Sequence, residues 1–210
     1  MNAGVNVRAE RRLLDGLAAL KLNEDCAPGL LAYLAELEKW NAAYNLSGIR
    51  NSEEIVTRHL LDSLTVLPYV SGRVIDVGSG AGIPGLMLAI ANPALQVVVL
   101  DSAGKKARFM RHAIRTLGLK NAEVVEARAE EHAPAVLFDF VISRAFAALG
   151  DFLRVTAHLA APGGKWLAMK GKLIPAEQND LPEGFEIVNV KPLSVPGLDE
   201  ARHLIVSARA

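Results

Sequence analysis

The stretch Val74-Ile75-Asp76-Val77-Gly78-Ser79-Gly80-Ala81-Gly82-Ile83-Pro84-Gly85 decides how the chain is read. A β-branched run carrying a carboxylate passes into a glycine-rich turn and then into a segment whose Pro84 suits the first turn of a helix. Glycines lack a β-carbon, so they tolerate positive φ and let a ligand approach the backbone. The helix beyond offers N–H groups with no intrahelical partner. Strand, turn and helix in that order make a ligand seat at the end of a buried strand.

Two patterns fit the seat. Gly80-x-Gly82-x-x-Gly85 matches the dinucleotide fingerprint, and Gly78-x-Gly80-x-Gly82 matches the loop that holds S-adenosyl-L-methionine. Asp76 favours the second, because a carboxylate there suits the donor's positive amino-acid end and repels a pyrophosphate. The run Val97 to Leu100 ends in Asp101, about twenty residues beyond Gly80, where a carboxylate accepts from ribose hydroxyls in either case. After a third run, Ala129-Glu130 is placed to reach the sheet edge beside an adenine, although such a pair is also an ordinary helix start.

Outward from the loop, Val74 to Val77, Val97 to Leu100, Glu123 to Val125 and Phe138 to Ser143 alternate with helical stretches at Pro84 to Ala91, Ala103 to Leu117 and Ala147 to Leu159. That alternation predicts a doubly wound, mostly parallel α/β sheet. Pro162-Gly163-Gly164 signals a turn before a fifth strand at Lys165 to Met169, and Phe185 to Val190 and His203 to Ala208 suggest an antiparallel finish. Before residue 70 the apolar residues fall at helical spacing: Leu13, Leu14, Leu17, Leu20, then Leu30, Leu31, Leu34, Leu37 and Tyr44. A third helix is expected from Ser52, as N-cap, to Tyr69. The expected organisation is a helical extension at 1–70 packed on a Rossmann-like core at 71–210.

The 210 residues, 51% hydrophobic and 22% charged, suit one globular unit rather than a disordered chain. Lys plus Arg and Asp plus Glu each total 23, so no net field draws the chain to nucleic acid, and any RNA contact must come from local clusters. A single cysteine, Cys26, excludes an intrachain disulfide and a cysteine-rich zinc site. With no apolar run of spanning length and no secretion signal, the expectation is a cytoplasmic chain with no membrane partner.

The loop from Asp76 to Gly85, Asp101-Ser102 with Lys105, Lys106 and Phe109, and Ser143-Arg144-Ala145 together resemble the RsmG family, also called glucose-inhibited division protein B. The likeness continues through Trp40-Asn41-x-x-Tyr44-Asn45-Leu46, the block Arg58-His59-Leu60-Leu61-Asp62-Ser63-Leu64, and Pro196-Gly197-Leu198 with Arg202-His203. Ile83 stands where an aromatic or other apolar residue is common, and Ser47 where threonine is frequent. The resemblance implies a class I methyltransferase fold with a seven-stranded sheet. It implies an enzyme that methylates N7 of a guanine in the decoding-region loop of 16S rRNA, acting on the small ribosomal subunit. It also implies that Gly78, Ile83, Ala129, Glu130 and Arg144 bind the donor, with Asp101 at the ribose by comparison with the wider fold; Asp76, Gly80 and Gly82 join them from the reading of the loop itself.

Guanine N7 carries a lone pair and no proton, so no general base and no catalytic triad are expected, and positioning should dominate. His59 and Asp62 share a helix face and are candidates to orient the base, with Asp62 accepting from guanine N1–H and the exocyclic amine; a surface pair is the plainer reading. Arg144, Lys170, Arg202 and His203 should cluster near the strand ends and meet RNA. Lys105, Lys106, Arg108, Arg111, His112 and Arg115 share one helix, either a solvated face or an RNA contact. Trp40 and Tyr44 can stack on a base or pack in the core. No metal site, no DNA partner and a monomer are expected. The competing readings are an NAD-dependent oxidoreductase and a non-catalytic donor-binding ribosome-assembly factor.

Overall fold

The computed structural model describes residues 6–144, 146, 148–171 and 180–210. Seven strands form one sheet: β1 (Arg73–Val77), β2 (Gln96–Leu100), β3 (Ala122–Val125), β4 (Phe138–Ser143), β5 (Ala160–Lys170), β6 (Phe185–Leu193) and β7 (Arg202–Arg209). Their order is β3-β2-β1-β4-β5-β7-β6, with β7 antiparallel between β5 and β6 and the first five strands parallel. The chain leaves β1 towards β2 on one side, and β4 lies on the other. The sheet therefore reverses its winding between β1 and β4, where a crevice opens beyond the carboxyl ends of the strands.

The central strands are apolar runs because both faces are covered, by α5 (Gly85–Ala91), α6 (Gly104–Leu117) and α7 (Leu149–Thr156) among others. One face packs Leu13, Leu30, Tyr33 and Leu60 from the first third against Met87 and Phe109. The other face is built on Phe138, Phe152 and Trp166. The helical extension thus shares its core with the sheet.

Several boundaries differ from the sequence reading. Pro162-Gly163-Gly164 lies inside β5: pairing passes from Phe138 opposite Ala160 to Phe140 opposite Lys165, so residues 161–164 form a bulge and leave the strand direction unchanged. Helix α5 starts at Gly85, with Pro84 as its capping residue. The expected helix from Ala147 begins at Leu149; Ala147, like Ala145 of the Ser143-Arg144-Ala145 motif, lies outside the described residues.

The first third holds α1 (Val7–Ala19) and α2 (Ala27–Tyr44). The third expected helix is not uniform. Asn51, not Ser52, is its N-cap, with its side chain accepting from Glu54 N–H at 3.0 Å. The segment runs as α3 (Ser52–Ile55), a π-helical turn at Val56–Leu61 and α4 (Asp62–Leu64), followed by a 3₁₀ turn at Leu67–Tyr69. Trp40 packs against Phe109 and His112 at centroid distances of 5.7 and 5.1 Å, which is the core role, whereas Tyr44 remains 48% exposed.

Candidate functional site

The glycine loop, which joins β1 to α5, is held from below by the end of β2. Gly78 and Ser79 N–H groups donate to Leu100 C=O at the end of β2, at 2.9 and 3.0 Å. Asp101 follows that carbonyl, and its Oδ2 accepts from Gly80 N–H at 2.9 Å and from Lys106 Nζ at 3.2 Å, while Oδ1 accepts from Ala103 N–H. The carboxylate expected at a ribose is here turned onto the loop. Asp76 is fully buried beneath it: Oδ2 accepts from Gly85 N–H at 2.8 Å and Oδ1 has no hydrogen-bond partner. Burial pushes its carboxyl up to about 7, against the pull of the Gly85 N–H.

From above, α2 reaches the same loop. The hydroxyl of Tyr33, itself buried, donates to Ala81 C=O at 2.6 Å. A buried tyrosine needs such a partner, and here the partner is loop backbone. Tyr33→Phe should leave that carbonyl unpaired, costing about 1–3 kcal/mol of stability. It should also weaken methyl-donor affinity more than turnover at saturating donor. Calorimetric titration beside steady-state kinetics checks this, and an unchanged dissociation constant would remove Tyr33 from the loop's support.

Between loop and extension lies a cavity of about 280 Å³ lined by Leu46, Ser47, His59, Gly78, Gly80 and Arg144, with Ile83 also on its wall. Gly80 has φ +63°, and a β-carbon built there would meet no atom within 4 Å, so the loop has open space above it. Ser47 stands in this wall because Asn41, near the end of α2, grips the following segment. Its Oδ1 accepts from Ser47 N–H at 2.8 Å and its Nδ2 donates to Ile49 C=O at 3.0 Å.

The far wall comes from the π-helical turn. His59 Nδ1 lies 3.1 Å from Arg58 C=O and 3.4 Å from Arg144 Nη2, and its Nε2 lies 2.7 Å from the Ser47 hydroxyl, so both ring nitrogens are held by the protein. Burial, and then the Arg144 guanidinium, lowers His59 to about 4, so it is neutral at ordinary pH. Arg144 Nη1 donates to Arg58 C=O at 2.9 Å and to Asp62 Oδ2 at 3.3 Å. Arg202 Nε lies 3.5 Å from the other oxygen of Asp62. Burial pushes the Asp62 carboxyl up, and the arginines pull it back. Asp62 is only 2% exposed, so the expected contact with a guanine edge is not open to it; its oxygens face two guanidinium groups.

The remaining predicted residues distribute around this centre. Lys170, at the end of β5, donates to Phe146 C=O at 3.0 Å and pairs in register with His203, whose Nδ1 lies 2.8 Å from Gly171 C=O. Both stand on the same sheet edge as Arg144. Gly82 packs under Leu86 rather than on the cavity wall. Ala129 and Glu130 lie in a 3₁₀ turn after β3, the first buried and the second exposed, and neither lines the cavity. Tyr33 and Asn41 were not singled out as site residues; a tyrosine and an asparagine on the buried stripe of α2 are the signal that points to them. Among the described residues no His, Cys, Asp and Glu side chains group to hold a metal ion. A second cavity of about 420 Å³ lies against α1 beside Arg8, Arg12 and Pro196, but it touches neither loop nor Arg144.

Comparison with known proteins bears on this site. Residues 27–205 match the GidB family model, described as rRNA small subunit methyltransferase G. The chain is 52% identical over 194 residues to the ribosomal RNA small subunit methyltransferase G of Stenotrophomonas maltophilia strain K279a, covering 92% of each. Among solved structures it resembles a SAM-dependent methyltransferase from Aquifex aeolicus, at TM-score 0.56 and 19% identity, covering 73% of this chain and 92% of that one. It also resembles one from Geobacter sulfurreducens in complex with S-adenosyl-L-homocysteine, at TM-score 0.53 and 13% identity, covering 83% and 98%.

Proposed function

The chain belongs to the rRNA small subunit methyltransferase G family, and from that premise we propose that it transfers a methyl group from S-adenosylmethionine to N7 of a guanine in the decoding-region loop of 16S rRNA. The observation that carries the reading is the open space over Gly80, at the winding reversal of the sheet, facing the wall formed by His59 and Arg144. The residues fit the donor. A glycine cradle lies open to it, and Asp76 Oδ1 is a buried oxygen with no partner beneath that cradle. The dinucleotide reading has no such support, because a carboxylate under the loop repels a pyrophosphate.

The donor supplies an electrophilic methyl group when bound. Gly78, Gly80 and Ile83 would seat it on the cavity wall, with Gly82 turning the loop beneath them. Asp101, which grips the loop, would meet its ribose only by yielding one of those contacts, Ala129 and Glu130 would take its adenine beyond the cavity, and buried Asp76 would draw its amino end through the loop. N7 enters as a free lone pair, so this chain holds no base to make a nucleophile. Because N7 has no proton to lose and the methyl group keeps its own, neutral His59, fixed between Ser47 and Arg58, moves no proton; it shapes the pocket wall. Arg144 presents hydrogen-bond donors to the donor carboxylate or to guanine O6, the acceptor beside N7. Asp62 is a positioning residue that holds Arg144 and Arg202, and Lys170, Arg202 and His203 meet the RNA at the sheet edge. The extension at 1–70 and the core at 71–210 act as one unit, because Leu46, Ser47 and His59 complete the pocket. We further propose a cytoplasmic monomer; among the described residues no helix is long and apolar enough to cross a membrane.

Asp76 gives a pH signature. Its carboxyl ionises at about 7 in the folded chain against 3.8 unperturbed. The free protein should therefore lose stability as pH rises from about 4 to about 7, because the unfolded state gives up the proton first. The donor's positive amino end favours ionised Asp76, so donor affinity should rise up to roughly tenfold between about pH 5.5 and about pH 7.5. Asp76→Asn should flatten that rise in calorimetric titrations; a wild-type affinity flat over the same window argues that the charge of Asp76 beneath the loop does not act on the donor. The activity itself is tested with tritiated donor and small subunits from a strain lacking the endogenous enzyme. Label in small-subunit RNA is expected, and binding of donor with no transfer favours the assembly-factor reading.

A further inference from the structure

Helix α6 carries Lys105, Lys106, Arg108, Arg111 and Arg115 and not one acidic residue. Two of its lysines sit in the first turn, against the helix dipole, and the arginines follow at three- and four-residue spacings, where like charges repel. Both arrangements cost stability in a chain whose net charge is zero. Some of the charge is answered: Lys106 meets Asp101, Arg111 meets Glu126 at 2.8 Å, and His112 meets Glu36 at 2.6 Å. Among the described residues Lys105, Arg108 and Arg115 have no ion pair, and all three are exposed. They lie within about 120° of helix surface and extend about 15 Å along it.

This strip starts at the pocket. Lys105 Nζ donates to Tyr44 C=O at 3.4 Å, and the segment after Tyr44 supplies Leu46 and Ser47 to the cavity wall. The Tyr44 ring leans on Trp40 with centroids 5.3 Å apart and is 48% exposed, so one aromatic face is fixed and open beside the strip. A row of cations without carboxylate partners leading to an exposed aromatic is how single-stranded RNA is held: phosphates along the cations and an unstacked base on the ring.

We propose that the exposed face of α6, through Lys105, Arg108 and Arg115, is a docking strip for the RNA backbone, with Tyr44 stacking on a nucleotide that flanks the target. This rests on the RNA substrate proposed above. The strip sets affinity and register and takes no part in methyl transfer.

The test measures binding of full-length protein to small-subunit rRNA across a salt series, beside methylation of small subunits by the wild-type chain. Arg108→Ala/Arg115→Ala should lower affinity at least tenfold and reduce the log–log salt slope by about 1.5, as expected for two lost phosphate contacts. Its donor affinity should be unchanged. Tyr44→Ala should lower affinity roughly tenfold with the slope unchanged, because stacking releases no counterions. Lys165→Ala/Lys191→Ala, which removes two charges from β5 and β6, should alter neither. An unchanged slope in the α6 variant, or an equal fall in both lysine and arginine pairs, overturns the strip even if the wild type methylates small subunits. A reduced slope in an enzyme that methylates no small subunit keeps the strip and overturns the substrate reading.

Discussion

Asp62→Ala is expected to cost about 3 kcal/mol of stability and to reduce methyl transfer about a hundredfold. The carboxylate is buried, with Arg144 Nη1 at 3.3 Å from one oxygen and Arg202 Nε at 3.5 Å from the other. Removing it leaves two guanidinium groups facing each other across an empty space, and breaking a buried pair from one side costs about 3–5 kcal/mol. The lower end applies because solvent reaches both arginines, whose side chains are 28% and 19% exposed. Activity falls further than stability alone explains, because Arg144 loses one of the contacts that aim it at the pocket. Asp62→Asn keeps the volume and one acceptor, and should retain more of both. Denaturant unfolding beside single-turnover kinetics reads the two effects, and an Asp62→Ala chain within about 0.5 kcal/mol of wild type would dissolve the cluster as an energetic unit.

The second large effect separates two glycines of one loop. At Gly80 an alanine must adopt φ +63°, a strain of about 1–2 kcal/mol, but its methyl group meets no protein atom within 4 Å. The methyl group instead occupies the space above the loop. Gly80→Ala should therefore fold and lose donor affinity by about a hundredfold, the scale at which binding-site misplacement is felt. At Gly85 a β-carbon would lie 2.6 Å from Val99 Cγ1 and 2.9 Å from Asp76 Cβ. Gly85→Ala should lose stability by about 1–3 kcal/mol, because α5 is pushed off β1 and β2. Thermal melts with and without donor distinguish the two; donor protection retained by Gly80→Ala would contradict the placement of the seat.

The loop and the alternation of strands and helices were legible because each rests on local rules: glycines where φ is positive, apolar runs where both sheet faces are covered. The antiparallel pairing of the last two strands with each other was expected as well, and β7 also pairs antiparallel with β5. The bulge at Pro162-Gly163-Gly164 was not, because the same residues make a turn or a bulge and only the pairing with β4 decides which. The third helix was legible as a helix, but not its π-helical turn, since the apolar spacing from Ile55 to Leu64 accommodates either winding. That turn sets where His59 points. Asp62 lies beside the cavity's Arg144, yet that contact was not legible: its partners Arg144 and Arg202 come from β4's end and β7, distant in sequence. The supports of the loop were hidden the same way, since Tyr33 and Asn41 read as members of a core stripe until their polar atoms find loop backbone.

The most direct test of the central claim locates the new methyl group. Small subunits lacking the modification are incubated with the protein and donor, and the RNA is reduced with borohydride and treated with aniline, which cleaves at N7-methylguanosine. One new cleavage, at a guanine of the decoding-region loop and dependent on donor, is the predicted result. Methyl incorporation with no aniline-sensitive site would show transfer to another atom or base, and would contradict an account in which a bare N7 lone pair is positioned without a base.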